Sequence, residues 1–149
     1  MKKTFFLLLV ALALYSCNNN KDFATFENNQ WYASKPQNFE ITIDNDSKPY
    51  DISLEFSYVF GSTFPEFPIQ IAITSPSGKT ENHTVAFPIA TSEKNTTTDC
   101  TGDVCDLSTT FLANQKLEKG VYKVVISQNY KGEYLPNVIG AGIHFKEVK

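Results

Sequence analysis

The stretch YDISLEFSYVF, residues 50 to 60, sets Tyr50, Ile52, Leu54, Phe56, Tyr58 and Phe60 two apart, with Asp51, Ser53, Glu55 and Ser57 between them. Side chains on an extended chain point to opposite faces in turn, so such a run buries one face and wets the other. A helix would need apolar residues every three or four positions, and no segment keeps that period for a comparable length. The step of two returns on both sides. Phe39, Ile41 and Ile43 alternate with Glu40, Thr42 and Asp44, and Phe67, Ile69, Ile71 and Ile73 do so again around Pro68. Tyr122, Val124 and Ile126 lead to Gln128, and Ile139, Ala141, Ile143 and Phe145 close the chain. Weaker strands are expected at ENHTVAFPI, 81 to 89, and DLSTTF, 106 to 111. Turn signals divide them: NDSKP at 45 to 49, SPSG at 75 to 78, KG at 119 to 120 and YLPN at 134 to 137. Short antiparallel strands with one buried face each must pair as two sheets or close into a barrel. The expected fold is all-β, an antiparallel β-sandwich of about 7 to 8 strands, Ig-like or jelly-roll-like, over residues 31–149.

Two prolines refine the expectation. A central strand needs the backbone donor that proline lacks, so the strands with Pro68 and Pro88 are expected at sheet edges or at bulges. FGSTFPEFP, 60 to 68, is rich in aromatics for a connection. Phe64 and Phe67 either cap the end of the core or offer an apolar contact to a partner. Trp31 and Tyr130 join them as the expected partner surface.

Ahead of the strands stands a different kind of sequence. Met1, Lys2 and Lys3 precede an apolar run that is cut off at Cys17, Asn18, Asn19 and Asn20. The run is shorter than the roughly 20 residues needed to span a bilayer. A positive start, a short apolar segment and a small residue, here Ser16, are the parts of a secretory signal peptide. Leu14, Tyr15, Ser16 and Cys17 resemble the lipobox of bacterial lipoproteins. That resemblance implies a signal peptide over 1–16, cleavage before Cys17 and acylation of Cys17 by palmitate-like chains. At about 0.8 kcal/mol per buried CH₂, several such chains hold a protein on a membrane without a transmembrane helix. Residues 17–30, rich in asparagine, are expected as the lipidated cysteine and a flexible tether.

Without the leader the chain keeps 11 lysines and no arginine against 16 acidic residues, a net charge of −5. The lysines are scattered, which argues against a nucleic-acid partner. Cys100 and Cys105 flank Thr101, Gly102, Asp103 and Val104 in an exported chain, where disulfides persist, so a bridge between them is expected. No metal site is expected. Zinc needs three or four convergent ligands, and His83 and His144 sit far from the cysteines and in strand patterns. Asp99, Asp103 and Asp106 read as a solvated acidic turn, because their spacing fits no EF-hand loop. No catalytic residue and no cofactor are assigned: the histidines lack the company of GxSxG, HExxH or a phosphate-binding glycine loop.

The order of features resembles the gliding-motility lipoproteins of the GldH family from Bacteroidetes. After the lipobox come an asparagine-rich tether with Trp31 nearby, an aromatic strand ending near FGSTFPEFPIQIAI, the turn TSPSGK and the loop TGDVCDL. GVYKVVISQ matches the family at Gly120, Tyr122 and Gln128, and LPNVIGAGIHF matches it at Leu135, Ile139 and Gly142. The chain departs from the family pattern at Asn129 and Tyr130, where Met-Arg is usual. The resemblance implies a non-catalytic accessory lipoprotein of the gliding and associated secretion machinery. It implies anchoring in the cell envelope, at the outer membrane, with the bilayer and other gliding or envelope proteins as partners. The alternative function is glycan binding, with Trp31, Tyr32, Phe64 and Tyr130 stacking on sugar rings.

Overall fold

The computed structural model describes residues 20–88 and 95–149. The expected signal peptide and Cys17 lie outside the described residues. Eleven strands are found among those described: β1 (Lys21–Thr25), β2 (Gln30–Tyr32), β3 (Gln37–Ile43), β4 (Pro49–Val59), β5 (Phe67–Thr74), β6 (Thr80–Phe87), β7 (Thr96–Thr101), β8 (Val104–Lys116), β9 (Gly120–Gln128), β10 (Tyr134–Pro136) and β11 (Val138–Glu147). They build a five-stranded sheet in the order β1-β11-β4-β8-β7, a four-stranded sheet in the order β3-β9-β5-β6, and a ribbon of β10 with β2. Every pairing is antiparallel.

The alternating apolar residues face one another between the two large sheets, making an antiparallel β-sandwich. Ile52, Leu54 and Phe56 of β4 and Ala141, Ile143 and Phe145 of β11 are at most 2% exposed. Ile41, Ile43, Ile69, Ile71, Val124 and Ile126 meet them from the four-stranded sheet, equally buried. Rings cross the gap: Tyr122 and Phe145 lie 5.7 Å apart, and Phe56 and Phe87 lie 4.5 Å apart. Each such side chain contributes roughly 1.5–3 kcal/mol by leaving water, so the period-two pattern is the main source of stability. Polar groups on the outer faces pair across strands, as Ser53 and Thr110 do at 2.9 Å.

Four strands were not expected, and each departure has a cause. The tether begins to fold earlier than residue 30: β1 adds to the sheet along β11, with Lys21 opposite His144. Gly140 and Gly142 make room for it. A Cβ at Gly142 would strike Asp22 O and the Phe23 ring, and one at Gly140 would strike the same ring. Phe23 therefore lies flat on a glycine track. Asn28 and Asn29, both at φ 54°, turn the chain from β1 into β2 in a left-handed conformation that asparagine tolerates. YLPN is only partly a turn, since Tyr134–Pro136 pairs with Gln30–Tyr32 and Asn137 alone takes a positive φ of 61°. β7 is a threonine-rich edge strand with no apolar face to announce it.

Pro68 does not mark an edge. β5 is internal, flanked by β9 and β6. Pro68 is tolerated because it is the second residue of the strand and the ladder with β9 starts only at Ile69 and Gln128. β6, which ends just before Pro88, is an edge. In β11 a bulge between Val138 and Gly140 inserts one residue and so reverses the facing before it. Val138 enters the core and Ile139 stays half-buried.

Candidate functional site

Trp31 and Phe67 are core residues, which corrects the expectation that they present a partner surface. Trp31 is 1% exposed, stacks on Phe26 at 5.2 Å and donates its Nε1–H to Lys35 O at 3.3 Å. Phe67 packs on Phe87 at 5.0 Å. Trp31 belongs to the β10–β2 ribbon and Phe67 is the first residue of the internal strand β5, and both join the hydrophobic core. Phe64 and Tyr130 stay half-buried. Phe64 meets Tyr58 at 5.8 Å and Phe87 at 5.1 Å, and Tyr130 meets Phe67 at 5.9 Å.

Phe60 is the residue that the alternation misplaces. It continues the inward phase of β4 by count, but β4 stops at Val59. Phe60 N–H is drawn to Asp103 O at 2.9 Å, and Gly61, at φ +79°, reverses the chain. The Phe60 ring is left 63% exposed. The signal in the sequence was Gly61 itself, a turn residue directly after Phe60.

Beside Phe64 lies a cleft of about 320 Å³ lined by Tyr58, Ser62, Thr63, Phe64, Phe87 and Leu107. Its rings do not form a flat platform: Phe64 stands at 84° to Tyr58 and at 66° to Phe87. Tyr32 is half-buried on the ribbon, tilted 49° to Tyr134. Sugar rings stack on coplanar faces, so this set lacks the geometry that glycan stacking calls for.

The hairpin of β7 and β8 carries the disulfide between Cys100 and Cys105, which are opposite each other in the ladder. Asp99 and Asp106 also face each other there, both exposed. Among the described residues no three His, Cys, Asp or Glu side chains converge as metal ligands do.

One polar cluster went unread in the sequence. On the outer face of the five-stranded sheet Glu55 accepts from Ser108 Oγ at 2.8 Å and Lys21 Nζ at 3.1 Å, with His144 Nδ1 at 3.8 Å. Burial pushes the Glu55 carboxyl up, but the three neighbours outweigh it and hold the group below its ordinary range. At 3.8 Å the imidazole is beyond ordinary hydrogen-bond distance. Serine, histidine and glutamate here do not compose a triad. β8 and β11 flank β4 on opposite sides, which separates Ser108 from His144 by roughly two strand spacings, about 10 Å. The Ser108 hydroxyl donates to the Glu55 carboxylate and not to the imidazole. His83, on the other sheet, packs 5.7 Å from Phe111.

The strands, the disulfide and the aromatic-filled end define a small antiparallel sandwich. The profile of the GldH lipoprotein family matches residues 18–145, and the chain belongs to that family. The gliding motility lipoprotein GldH of Flavobacterium johnsoniae is 25% identical over 134 residues, covering 86% of this chain and 81% of its own. No solved structure matches the chain.

Proposed function

We propose that this protein is a lipid-anchored, non-catalytic accessory component of the gliding motility and associated secretion machinery, held by acyl chains on Cys17 in the outer membrane. It works through protein contacts at the end of the sandwich that carries Phe60, Phe64 and Tyr130. The observation behind this reading is Phe60: a large ring 63% exposed on a turn whose backbone is fixed by Asp103. Rigidly presented aromatic rings make efficient anchors, because little conformational freedom is lost when a partner covers them. The kinship with a gliding motility lipoprotein supplies the process, and Ser108, Glu55 and His144 are not arranged as a triad.

The test is Phe60→Ser in a gliding host. The variant is expected to accumulate normally and to carry fatty-acid label, while colony spreading is impaired. Normal spreading by an abundant Phe60→Ser protein would remove this end as the contact surface. Cys17→Ser is expected to lose the fatty-acid label, and label retained by that variant would reject Cys17 as the anchor.

A further inference from the structure

The amino terminus heads toward one end of the sandwich, and the two ends differ. β1 runs from Lys21, opposite His144, to Thr25, opposite Gly140. Asn20, bonded to Phe145, continues β1 toward the end where β4 begins at Pro49, opposite Lys116. That end also carries the turns at 44–48, 75–79 and 117–119, because Ile43 pairs with Gly120 and Thr74 with Thr80. Side chains tie its turns together. Lys48 Nζ is 2.7 Å from Glu147 Oε1, Asn45 Nδ2 donates to Glu147 Oε2 at 3.3 Å, and Ser77 N–H donates to Glu118 Oε1 at 3.0 Å. The opposite end carries Phe60, Phe64 and Tyr130.

Reach decides which end the anchor can serve. Asn20 is fixed in place, its backbone O accepting from Phe145 N–H at 2.7 Å. Cys17 is three residues upstream, and three extended residues span at most about 11 Å. Phe145 pairs with Ile52, which puts the Pro49 end roughly 10 Å away along the strand and the Val59 end roughly 23 Å away in the other direction. The acyl chains reach the first and not the second.

Charge agrees with reach. At the Pro49 end Lys48, Lys79, Lys116, Lys119, Lys146 and Lys149 are set against Asp44, Asp46, Asp51, Glu81, Glu118 and Glu147, a near balance in which Lys116, Lys119, Lys146 and Lys149 are exposed and, among the described residues, make no ion pair. At the far end the described lysines are Lys35 and Lys131, set against Glu27, Glu66, Asp99, Asp103, Asp106 and Glu133. A layer of anionic headgroups therefore repels the second surface more than the first, over about a Debye length, roughly 8–10 Å.

The geometry points to an end-on seating on the bilayer: the end holding Pro49, Lys116 and the carboxy terminus rests on lipid headgroups that include anionic phosphates. The end with Phe60 is then held away from the lipid by the length of β4, 11 residues or about 36 Å. This inference rests on the anchor at Cys17 and adds to it a fixed orientation.

Energy transfer from the acylated mature protein to headgroup-labelled lipid tests it, in vesicles of three parts phosphatidylcholine to one part phosphatidylglycerol. A dye is placed on Lys119→Cys or on Lys131→Cys, with Cys100 and Cys105 bridged and so unreactive. Transfer from position 119 is expected to exceed that from 131 by about threefold or more, given ends some 36 Å apart. Equal transfer, or stronger transfer from 131, in a protein that floats with the vesicles would keep the anchor and overturn the orientation. Protein that fails to float lacks the acyl anchor, which overturns the underlying reading and the seating together.

Discussion

Gln128 Nε2 donates to the main-chain oxygen of Trp31 at 3.1 Å, joining the last residue of β9 to the ribbon strand β2. Its Oε1 accepts from Tyr130 N–H, so one buried amide, 5% exposed, holds both the ribbon and the start of the 129–133 turn. Gln128→Leu would keep the volume and remove the partner of one buried and one part-buried backbone group. The expected cost is about 1–3 kcal/mol, measured as a lowered urea midpoint. A midpoint unchanged from the parent would mean that water replaces the amide.

Phe145 and His144 are neighbours with opposite faces. Phe145 is fully buried against Tyr122, while His144 keeps 31% of its side chain in solvent. Phe145→Ala should cost about 3–5 kcal/mol, as deletions of buried rings do. His144→Ala should cost far less, about 1 kcal/mol or under, the scale of a half-exposed partner of Glu55. Equal effects in chemical denaturation would show that the phase of β11 is wrong.

Acid should act through Glu55. Its carboxyl is held below the ordinary value of 4.5 in the folded protein by His144, Ser108 and Lys21, against burial. A group with a depressed folded pKa contributes stability that is present above its unfolded value and lost as pH falls through the folded one. Stability should therefore decline below about pH 4.5, and Glu55→Gln should flatten that decline while lowering stability at neutral pH. The check is a series of urea midpoints from neutral pH downward; parallel curves for the two proteins would assign the acid limb to other carboxylates.

Docking of β1 depends on the absence of a side chain at Gly142. Gly142→Ala would press a methyl group against Asp22 O and the Phe23 ring, at a cost of about 1–3 kcal/mol for the overpacking. The loss should be local at first. Amides of Lys21–Thr25 should exchange with solvent faster than those of β4 in the same protein, and uniform exchange would show β1 to be no separate unit.

How well the sequence could be read depended on where apolar residues had a reason to alternate. β4, β9 and most of β11 line the space between the sheets, so burial imposed the period and the period was visible. β7 lies at an edge and is held by its backbone ladder, by a threonine that bonds Thr109 at 2.9 Å and by the Cys100 disulfide, so it left no apolar trace. β1 was hidden for a related reason: its contact is a single ring, Phe23, on glycines more than a hundred residues away. Of the expected site, the Cys100–Cys105 bridge was legible from spacing and export. Trp31 and Phe67 were not, because an aromatic residue near a chain reversal serves equally well as a plug for an open sandwich end or as a contact on its surface. Glu55, Ser108 and His144 come from three strands, and only pairing register brings them together.

The pairing of β1 with β11 also sets an order of events. Ribosomes release a chain from its amino terminus, so the first strand of this domain waits for nearly the last to be made before it has a partner. Until then β4, which β11 flanks on one side, shows an open edge of alternating isoleucine, leucine and phenylalanine. Such non-local pairing folds slowly, and an uncovered apolar edge invites aggregation. The newborn polypeptide thus has a window in which a holding chaperone has something to grip, and the arrival of GAGIHF closes it.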